Sequence, residues 1–372
     1  MFEKEEIYST VEEEKPEENE DIKTPFDPNK IDVDIATVNL GFLIEQLRDN
    51  EIDLAPDFQR AATVWDKTKK SRLIESILLG LPLPSFYFSE DAETGKLQII
   101  DGLQRISALK DFILEKENPL RLENLQFLEA AYKGKSYNEL GQNDKRRINK
   151  LKITTNTLRK ATPVKVKYVI FQRVNTGGVP LTAQEMRNAL NPGRPAKFIK
   201  RLAETPAFCS VCNISPKRMS NRDFANRFVA FYLNYDKYYG DLDMFLNDCM
   251  VQLGELTEEK LDSLINVFGK SVSCCYDIFG SEVFRKPSSE GEARKPISKS
   301  LFDSLAVNVA WLTDKERKCL TSRSDEFKMK FYKLFDDVDF VAAITSSTAG
   351  KARVVKRFDD VRNLIKDVIG HD

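Results

Sequence analysis

The stretch Ile99-Ile-Asp-Gly-Leu-Gln-Arg105 decides how the first half of this chain folds. The apolar run that ends at Ile100 predicts a buried strand, and the amphipathic segment from Leu103 predicts a helix. A glycine between a strand and a helix leaves backbone N–H groups and the positive end of the helix dipole at the turn. The sequence therefore predicts an anion site, where Arg105 adds a charge suited to phosphate and Asp101 a carboxylate for a cation or water. The alternative is a structural turn with a salt-bridged arginine.

The composition is typical of a globular protein with room for two domains. The chain has 372 residues, of which 41% are hydrophobic. No apolar run approaches the roughly 20 residues that a membrane span needs, and the first residues do not resemble a signal peptide. Six cysteines in a chain of this length indicate reduced thiols. We expect a soluble, cytoplasmic protein with no membrane partner.

The net charge of −1 conceals an uneven distribution. Residues 1–23 contain ten acidic and three basic residues, so the remainder has 54 bases against 48 acids. Such an acidic segment is typical of a disordered tail, which we predict for residues 1–30. A body with a net charge of +6 permits a nucleic-acid or nucleotide partner and requires neither.

The pattern of apolar residues divides the body into a mixed part and a helical part. Short apolar runs alternate with amphipathic segments up to about residue 115, which predicts an α+β fold. The more polar stretch 117–165 is predicted as a helical insertion. From about residue 195 almost every segment has a helical period, apart from a mobile loop at 285–299. The predicted parts are a tail at 1–30, a mixed domain at 31–190 and a helical domain at 191–372.

Several element boundaries have explicit signals. Gly80 predicts the end of a helix that begins near Lys67. Thr182, followed by Glu185, predicts a capping box at the start of a helix after a Gly-Gly loop. Aromatic residues at helical spacing in 228–235 are typical of a core-facing stripe.

The single histidine, His371, excludes several mechanisms. Ser-His-Asp and Cys-His catalysis and histidine–metal nucleases need a well-placed imidazole, which a residue next to the chain end does not supply. Cys209 and Cys212 form a C-x2-C pair, but a zinc site needs four ligands and no second pair follows. We therefore predict buried free thiols at these cysteines.

Carboxylates, amides and arginines are left to carry any chemistry, with Mg²⁺ as the natural cofactor. This set suits nucleotide binding and phosphoryl hydrolysis, and no P-loop motif is present. Three segments each place an arginine beside an amide side chain: Gln59-Arg60, Gln104-Arg105 and Arg173 with Asn175. We predict that they converge on a site for an anionic ligand.

The basic residues Lys145, Arg146 and Arg147 have two interpretations. They form the solvated face of a helix capped by Asp144, or they form a patch that binds nucleic-acid phosphates. The sequence leaves both open.

Four motifs resemble the N-terminal domain of GmrSD-type restriction enzymes, which is similar to ParB and sulfiredoxin. They are Pro56-Asp-Phe-Gln-Arg60, Gly80-Leu-Pro-Leu-Pro84, Ile100-Asp-Gly-Leu-Gln-Arg105 and Phe171-Gln-Arg-Val-Asn-Thr-Gly-Gly-Val-Pro-Leu-Thr182. The resemblance extends over nearly all of the chain after residue 31. It implies a small ParB/sulfiredoxin-like mixed domain followed by a large, mostly α-helical domain.

The resemblance also implies a function and a set of site residues. It points to a regulatory protein of a bacterial restriction-like defence system that binds and hydrolyses a nucleoside triphosphate. Asp101, Gln104 and Arg105 would be catalytic, with Asp101 positioning Mg²⁺ or water. The residues that would bind the nucleotide are Gln59, Arg60, Gly102, Arg173 and Asn175.

Two departures from the family pattern bear on this function. The family usually has Asp-Gly-Gln-Gln-Arg, whereas this chain has Leu103 in place of the first glutamine, which bears on hydrolysis more than on binding. No histidine–metal nuclease follows, so the effector would be a separate nuclease chain. The alternative is a non-enzymatic DNA- or partner-binding protein with a degenerate nucleotide site. Thiol redox chemistry is disfavoured, because the turn from Asp101 to Arg105 contains no cysteine.

Overall fold

In the computed structural model, a five-stranded mixed sheet organises the first half of the chain. The structure describes residues 8–13, 32–53, 65–91, 94–174, 181–288 and 292–370. The chain divides into two units, Thr24–Leu181 and Thr182–Asp372 with Met1–Lys23. The first unit is α+β and the second is helical, as the sequence predicts. The units meet in sequence at Leu181, whereas the predicted boundary is residue 190.

The sheet has the order β1-β5-β3-β4-β2. β2 is parallel to β4 and β3 is parallel to β5, whereas β1 with β5 and β3 with β4 are antiparallel. The carboxyl ends of β2 and β4 therefore point to the same edge of the sheet. The strands are β1 Val33–Asn39, β2 Ile52–Asp53, β3 Phe86–Glu90, β4 Leu97–Asp101 and β5 Lys152–Leu158.

The helices of the first unit enclose an apolar core with the sheet. α2 begins at an N-cap, Asp66, whose carboxylate accepts a hydrogen bond from the Lys69 N–H, and it ends at Gly80 with φ of 76°. The helical turn Lys110–Leu114 continues α3 as a π-helix. The helices are α1 Leu40–Arg48, α2 Lys67–Leu79, α3 Leu103–Leu109, α4 Glu129–Tyr132, α5 Gln142–Lys150 and α6 Val164–Val174.

The predicted insertion at 117–165 is wrong in one respect, because it contains strand β5. This strand lies inside the sheet, between β1 and β3. Its sequence, Lys-Ile-Thr-Thr-Asn-Thr-Leu, has threonine and asparagine where a central strand usually has aliphatic residues, so hydrophobicity alone did not reveal it. Ile153 and Leu158 are buried, and β-branched threonines suit the pleated backbone. Strand β1, at the edge of the sheet, was also not predicted from the sequence, and none of its residues is fully buried.

Helix α13 forms the centre of the second unit. Every residue from Ser300 to Ala310 is buried, and α10, α12 and α17 pack around this helix. The aromatic stripe predicted as core is confirmed, since Phe228 and Phe231 are fully buried. The helices are α7 Ala183–Leu190, α8 Arg194–Ala203, α9 Pro206–Cys212, α10 Ser220–Asn234, α11 Leu242–Glu255, α12 Glu258–Phe279, α13 Lys299–Ala310, α14 Asp314–Ser322, α15 Ser324–Lys333, α16 Val338–Thr345 and α17 Lys351–Ile369.

Part of the predicted disordered tail is ordered. Residues 8–13 lie against the helical unit, where Ser9 bridges to Ile214 and Val11 to Ile297. Glu12 forms an ion pair with Lys286. The same contacts correct the prediction of a mobile loop at 285–299, whose ends are buried. Backbone hydrogen bonds order the described parts of both segments. Such bonds cannot be predicted from amino-acid composition.

The cysteines are free thiols. Cys212 is buried and its burial raises the pKa of the thiol, but Cys209 is exposed, so the prediction of a buried pair holds only for Cys212. Among the described residues, no helix combines the length and the apolar character needed to cross a membrane.

Candidate functional site

The turn from β4 into α3 requires glycine at position 102. Gly102 has φ of 107°, a left-handed conformation that side chains rarely adopt. A Cβ atom at this position would lie 2.6 Å from Cδ1 of Phe86, at the start of the neighbouring strand β3. Glycine therefore permits both the sharp turn and the close packing of β3 against it.

Arg105 lies in the first turn of α3 and bonds entirely within the protein. It is 8% exposed, and its Nη2 lies 2.7 Å from Oδ2 of Asp101. The guanidinium also donates to the carbonyl oxygens of Pro84 and Ser85 and stacks on the Phe86 ring, 4.4 Å from its centroid. The structure therefore realises the alternative that the sequence left open, a salt-bridged arginine that fixes the turn.

Asp101 is the carboxylate that ends strand β4. Its side chain is 26% exposed, so it reaches solvent beside the ion pair with Arg105. Burial raises the pKa of the Asp101 carboxyl, and the Arg105 charge and the Gly102 N–H oppose that rise. The carboxylate is partly accessible and has a fixed orientation, which suits a metal-ligating or water-orienting group.

Gln104 connects the turn to the segment that precedes helix α2. Its Oε1 accepts a hydrogen bond from the backbone N–H of Trp65, at 3.2 Å. Trp65 directly follows the motif segment 54–64, which lies outside the described residues together with the predicted site residues Gln59 and Arg60. On the other side of that segment, Asp53 pairs with Gln98 of β4. Both described flanks of the motif thus lie beside the β4–α3 segment.

Leu103 is partly buried and packs against the core of the first unit. The side chain at this position therefore makes an apolar contact. This packing adds to the contacts that hold the turn against the core.

The third predicted segment lies on helix α6, which packs on strand β4. Lys167 of this helix is buried and donates to the carbonyl oxygen of Glu90 at 3.1 Å. Its burial lowers the pKa of the ammonium, and Asp91 and Glu90 oppose this. Arg173 is exposed and forms no hydrogen bond or ion pair with another described residue. Asn175 lies outside the described residues.

The turn offers one carboxylate, that of Asp101, as a possible metal ligand. Among the described residues, no group of three or more acidic, histidine or cysteine side chains could bind a metal ion alone. One carboxylate together with substrate phosphates is a usual Mg²⁺ ligand set, and Asp101 supplies such a carboxylate. The residues therefore fit a metal that arrives with its nucleotide.

The basic residues of α5 have mainly structural contacts. Arg147 donates to the carbonyl oxygen of Leu78, at the end of α2, and Lys145 donates to that of Asn138. Arg146 is exposed and has no hydrogen bond or ion pair to another described residue. The predicted cap at Asp144 is wrong: the N-cap is Gly141, and Asp144 lies within the first turn.

Sequence reasoning missed the residues that hold the turn from outside it. The partners of Arg105 come from the segment Pro84–Phe86, and the partner of Gln104 is the backbone of Trp65. Three of these four contacts use the backbone groups of Pro84, Ser85 and Trp65. A backbone contact does not depend on the residue type, so the sequence does not indicate it. The Gly-Leu-Pro-Leu-Pro84 motif was the available signal, because its prolines bring the Pro84 carbonyl to the start of β3.

Comparison with known proteins finds a family model that matches part of this chain. Residues 43–191 match the family model described as GmrSD restriction endonuclease, N-terminal domain. The match confirms the resemblance that the motifs indicated. It covers residues 43–191, whereas the motifs suggested a resemblance over nearly all of the chain after residue 31. No curated protein and no solved structure matched the chain.

Proposed function

We propose that this chain is a nucleotide-binding regulatory component of a restriction-like defence system, since residues 43–191 match the family model of the GmrSD restriction endonuclease N-terminal domain. The ligand is a nucleoside triphosphate with Mg²⁺. We assign DNA cleavage to a histidine-containing nuclease outside these 372 residues, because their only histidine is His371.

The observation that carries this proposal is the arrangement at one edge of the sheet. β4 ends at this edge with Asp101, and the crevice outside the carboxyl ends of strands is where open α/β sheets bind ligands. The Trp65–Gln104 hydrogen bond places Trp65, the first described residue after the segment 54–64, beside the turn at Gly102. We infer from this contact that Gln59 and Arg60, which lie outside the described residues, contribute to the same site.

In this proposal the phosphates bind at the amino end of the helical segment 103–114. Gly102 contributes no side-chain cap there, so the backbone of the first turn faces the ligand with the positive end of the dipole. Arg105 acts as a positioning residue that orients Asp101 and adds a fixed positive charge. Gln59, Arg60, Arg173 and Asn175 are the further predicted contacts.

Hydrolysis is the second part of the proposal and depends on Asp101. Mg²⁺ neutralises phosphate charge when it is bound with the nucleotide. The carboxylate of Asp101 would orient the attacking water, while Gln104 keeps the turn attached to the start of α2. Leu103 removes one polar group from the turn, so we expect slow hydrolysis.

A thermal-shift panel of the four ribonucleoside triphosphates, each with and without Mg²⁺, tests binding. We expect at least one Mg²⁺–nucleotide to raise the melting temperature by several degrees, because a hundredfold excess over Kd contributes about 2.7 kcal/mol. The variant Asp101→Asn keeps the shape of the side chain and removes its charge. It should lose the Mg²⁺-dependent part of the shift.

Glu117→Gln is the control for charge removal, because this acidic side chain is exposed and follows the end of the helical segment 103–114. It should leave the shift unchanged. The proposal fails if no nucleotide shifts the melting temperature of the unmodified chain. Salt-sensitive DNA binding that is lost in Arg146→Gln, with no nucleotide response, would instead support the non-enzymatic alternative.

A further inference from the structure

A cavity of about 210 Å³ lies at the opposite edge of the sheet from the Asp101 turn. Leu47, Ile52 and Leu114 form its apolar wall. Ile52 pairs with Leu97, the first residue of β4, whereas Asp101 is the last residue of that strand. The cavity is therefore separated from the proposed nucleotide edge by the length of β4.

Four polar side chains line this cavity: Asn50, Asp53, Lys96 and Lys110. Within the described part of the chain, neither lysine ammonium forms a hydrogen bond or an ion pair. Asp111, the acidic residue next to Lys110 in the sequence, forms an ion pair with Lys70 at 2.6 Å. Two positive charges therefore face a small cavity without a described partner.

The backbone at the cavity has an uncommon conformation. Lys110 and Leu114 are the first and last residues of the π-helical turn, which the Glu115 N–H closes onto the Lys110 carbonyl oxygen at 3.0 Å. Single π-turns within α-helices occur often at functional sites. Here the turn places both of its end residues along the cavity.

We propose that this cavity binds a small phosphate monoester that also carries hydroxyl groups. The ammonium groups of Lys96 and Lys110 would bind the phosphate, since paired lysines favour a dianion over a single charge. Asp53 would repel a bare phosphate, but its carboxylate accepts hydrogen bonds from hydroxyl groups, as does the Asn50 amide oxygen. The cavity volume limits the ligand to roughly the size of a pentose phosphate.

Isothermal titration calorimetry of the full chain tests this site with ribose 5-phosphate, inorganic phosphate and ribose. Ribose 5-phosphate should bind more tightly than either part alone. Lys96→Met and Lys110→Met keep the apolar stem of the side chain, and each should weaken binding about tenfold because a charged hydrogen bond is lost. Lys116→Met, an exposed lysine beyond the cavity, is the matched control and should leave the affinity unchanged.

Asp53→Asn provides a test of the hydroxyl contact. This variant should bind inorganic phosphate more tightly. The ratio of its affinity for ribose 5-phosphate to its affinity for inorganic phosphate should therefore be smaller than in the unmodified chain. Binding in Asp101→Asn distinguishes the two edges of the sheet, because the cavity should keep its affinity in that variant.

Two results would overturn the proposal. One is the absence of binding by ribose 5-phosphate and phosphate at millimolar concentration. The other is binding that persists unchanged in the Lys96→Met/Lys110→Met double variant. The double variant should keep its response to Mg²⁺–nucleotide, because the cavity lysines are not part of the proposed nucleotide site. Failure of the cavity proposal is thereby distinguished from failure of the proposed nucleotide function.

Discussion

Gly102 joins two requirements at a single residue. Its backbone needs a positive φ for the turn, and its missing side chain leaves room for the ring of Phe86. The same ring supports the guanidinium of Arg105. A change at Gly102 therefore acts on the turn, on β3 and on the ion pair with Asp101 together.

Gly102→Ala should destabilise the first unit by about 3 kcal/mol, because backbone strain and a steric clash add. Urea unfolding followed by Trp65 fluorescence, in a Trp311→Phe background, measures this change. Gly80→Ala is the matched control: its φ is also positive, but nothing lies within 4 Å of the added Cβ. It should cost about 1 kcal/mol. Equal losses in the two variants would contradict the steric account.

Leu103→Gln restores the polar residue that the family pattern has at this position. If the proposed nucleotide site hydrolyses its ligand, the variant should raise the rate about tenfold, since one added polar group near the reacting phosphate stabilises developing charge. Phosphate release measured at saturating nucleotide tests this. Nucleotide affinity should stay within about twofold, and an unchanged rate would place Leu103 outside the chemistry. The lost packing should cost about 1 kcal/mol of stability.

Helix α2 shows how one buried carboxylate can order a neighbouring loop. Glu75 is 3% exposed, and its oxygens accept hydrogen bonds from the N–H groups of Gln126, Phe127 and Leu128. Burial alone would raise the pKa of Glu75, but these three donors and Arg72 lower it below the ordinary 4.5. The loop before α4 is thereby fixed to α2.

Glu75→Gln should destabilise the first unit by about 2 kcal/mol at pH 7, because a charged acceptor is lost. Since the folded pKa is depressed, the contribution of Glu75 is fully present above pH 4.5 and is lost as the pH falls through the folded pKa. The unmodified chain should therefore lose stability below pH 4.5 more steeply than the variant. Urea unfolding from pH 3 to pH 7 measures both slopes, with the exposed Glu117→Gln as control. Parallel slopes would contradict the assignment.

The elements that the sequence predicted have both a regular spacing of apolar residues and a residue that ends the element. Helix α2 has an apolar face, an acidic N-cap at Asp66 and Gly80 at its end, and its bounds agree with the prediction. Strand β5 has neither an apolar run nor flanking glycines, and only its pairing with β1 and β3 makes it a strand. Non-local pairing of this kind cannot be obtained from a single sequence.

The candidate site was predictable in its residues but not in its contacts. The Asp101–Arg105 segment was identified from the strand–turn–helix pattern. A salt bridge of Arg105 was predicted only as an alternative and without its partner, because the bond to Asp101 depends on the rotamers at i and i+4. The carbonyl oxygens of Pro84 and Ser85 could not be foreseen, since any residue type supplies a carbonyl group.

At the scale of the whole molecule, the second unit contains a buried ionic centre that the sequence did not indicate. Asp303 is fully buried on α13 and accepts a bidentate pair of hydrogen bonds from Arg227, with Nη2 at 2.7 Å. Arg357 of α17 lies 3.5 Å from the same carboxylate. These contacts connect three helices of the unit through one carboxylate.

Asp303→Asn should destabilise the helical unit by about 3–5 kcal/mol, because it removes the buried negative charge that lies against both Arg227 and Arg357. Unfolding followed by Trp311 fluorescence, in a Trp65→Phe background, measures the loss. Asp262→Asn removes an exposed ion pair to Arg201 and should cost less than about 1 kcal/mol. Similar losses in the two variants would contradict the view that burial sets the cost.

The most direct test of the central claim is a calorimetric titration of the full chain with a nucleoside triphosphate in the presence of Mg²⁺. We predict one nucleotide per chain, with an affinity that falls at least tenfold when Mg²⁺ is chelated and in Asp101→Asn. Binding that is absent for all four nucleotides, or that keeps its Mg²⁺ dependence in Asp101→Asn, would contradict the assignment of the Asp101 turn as the nucleotide site.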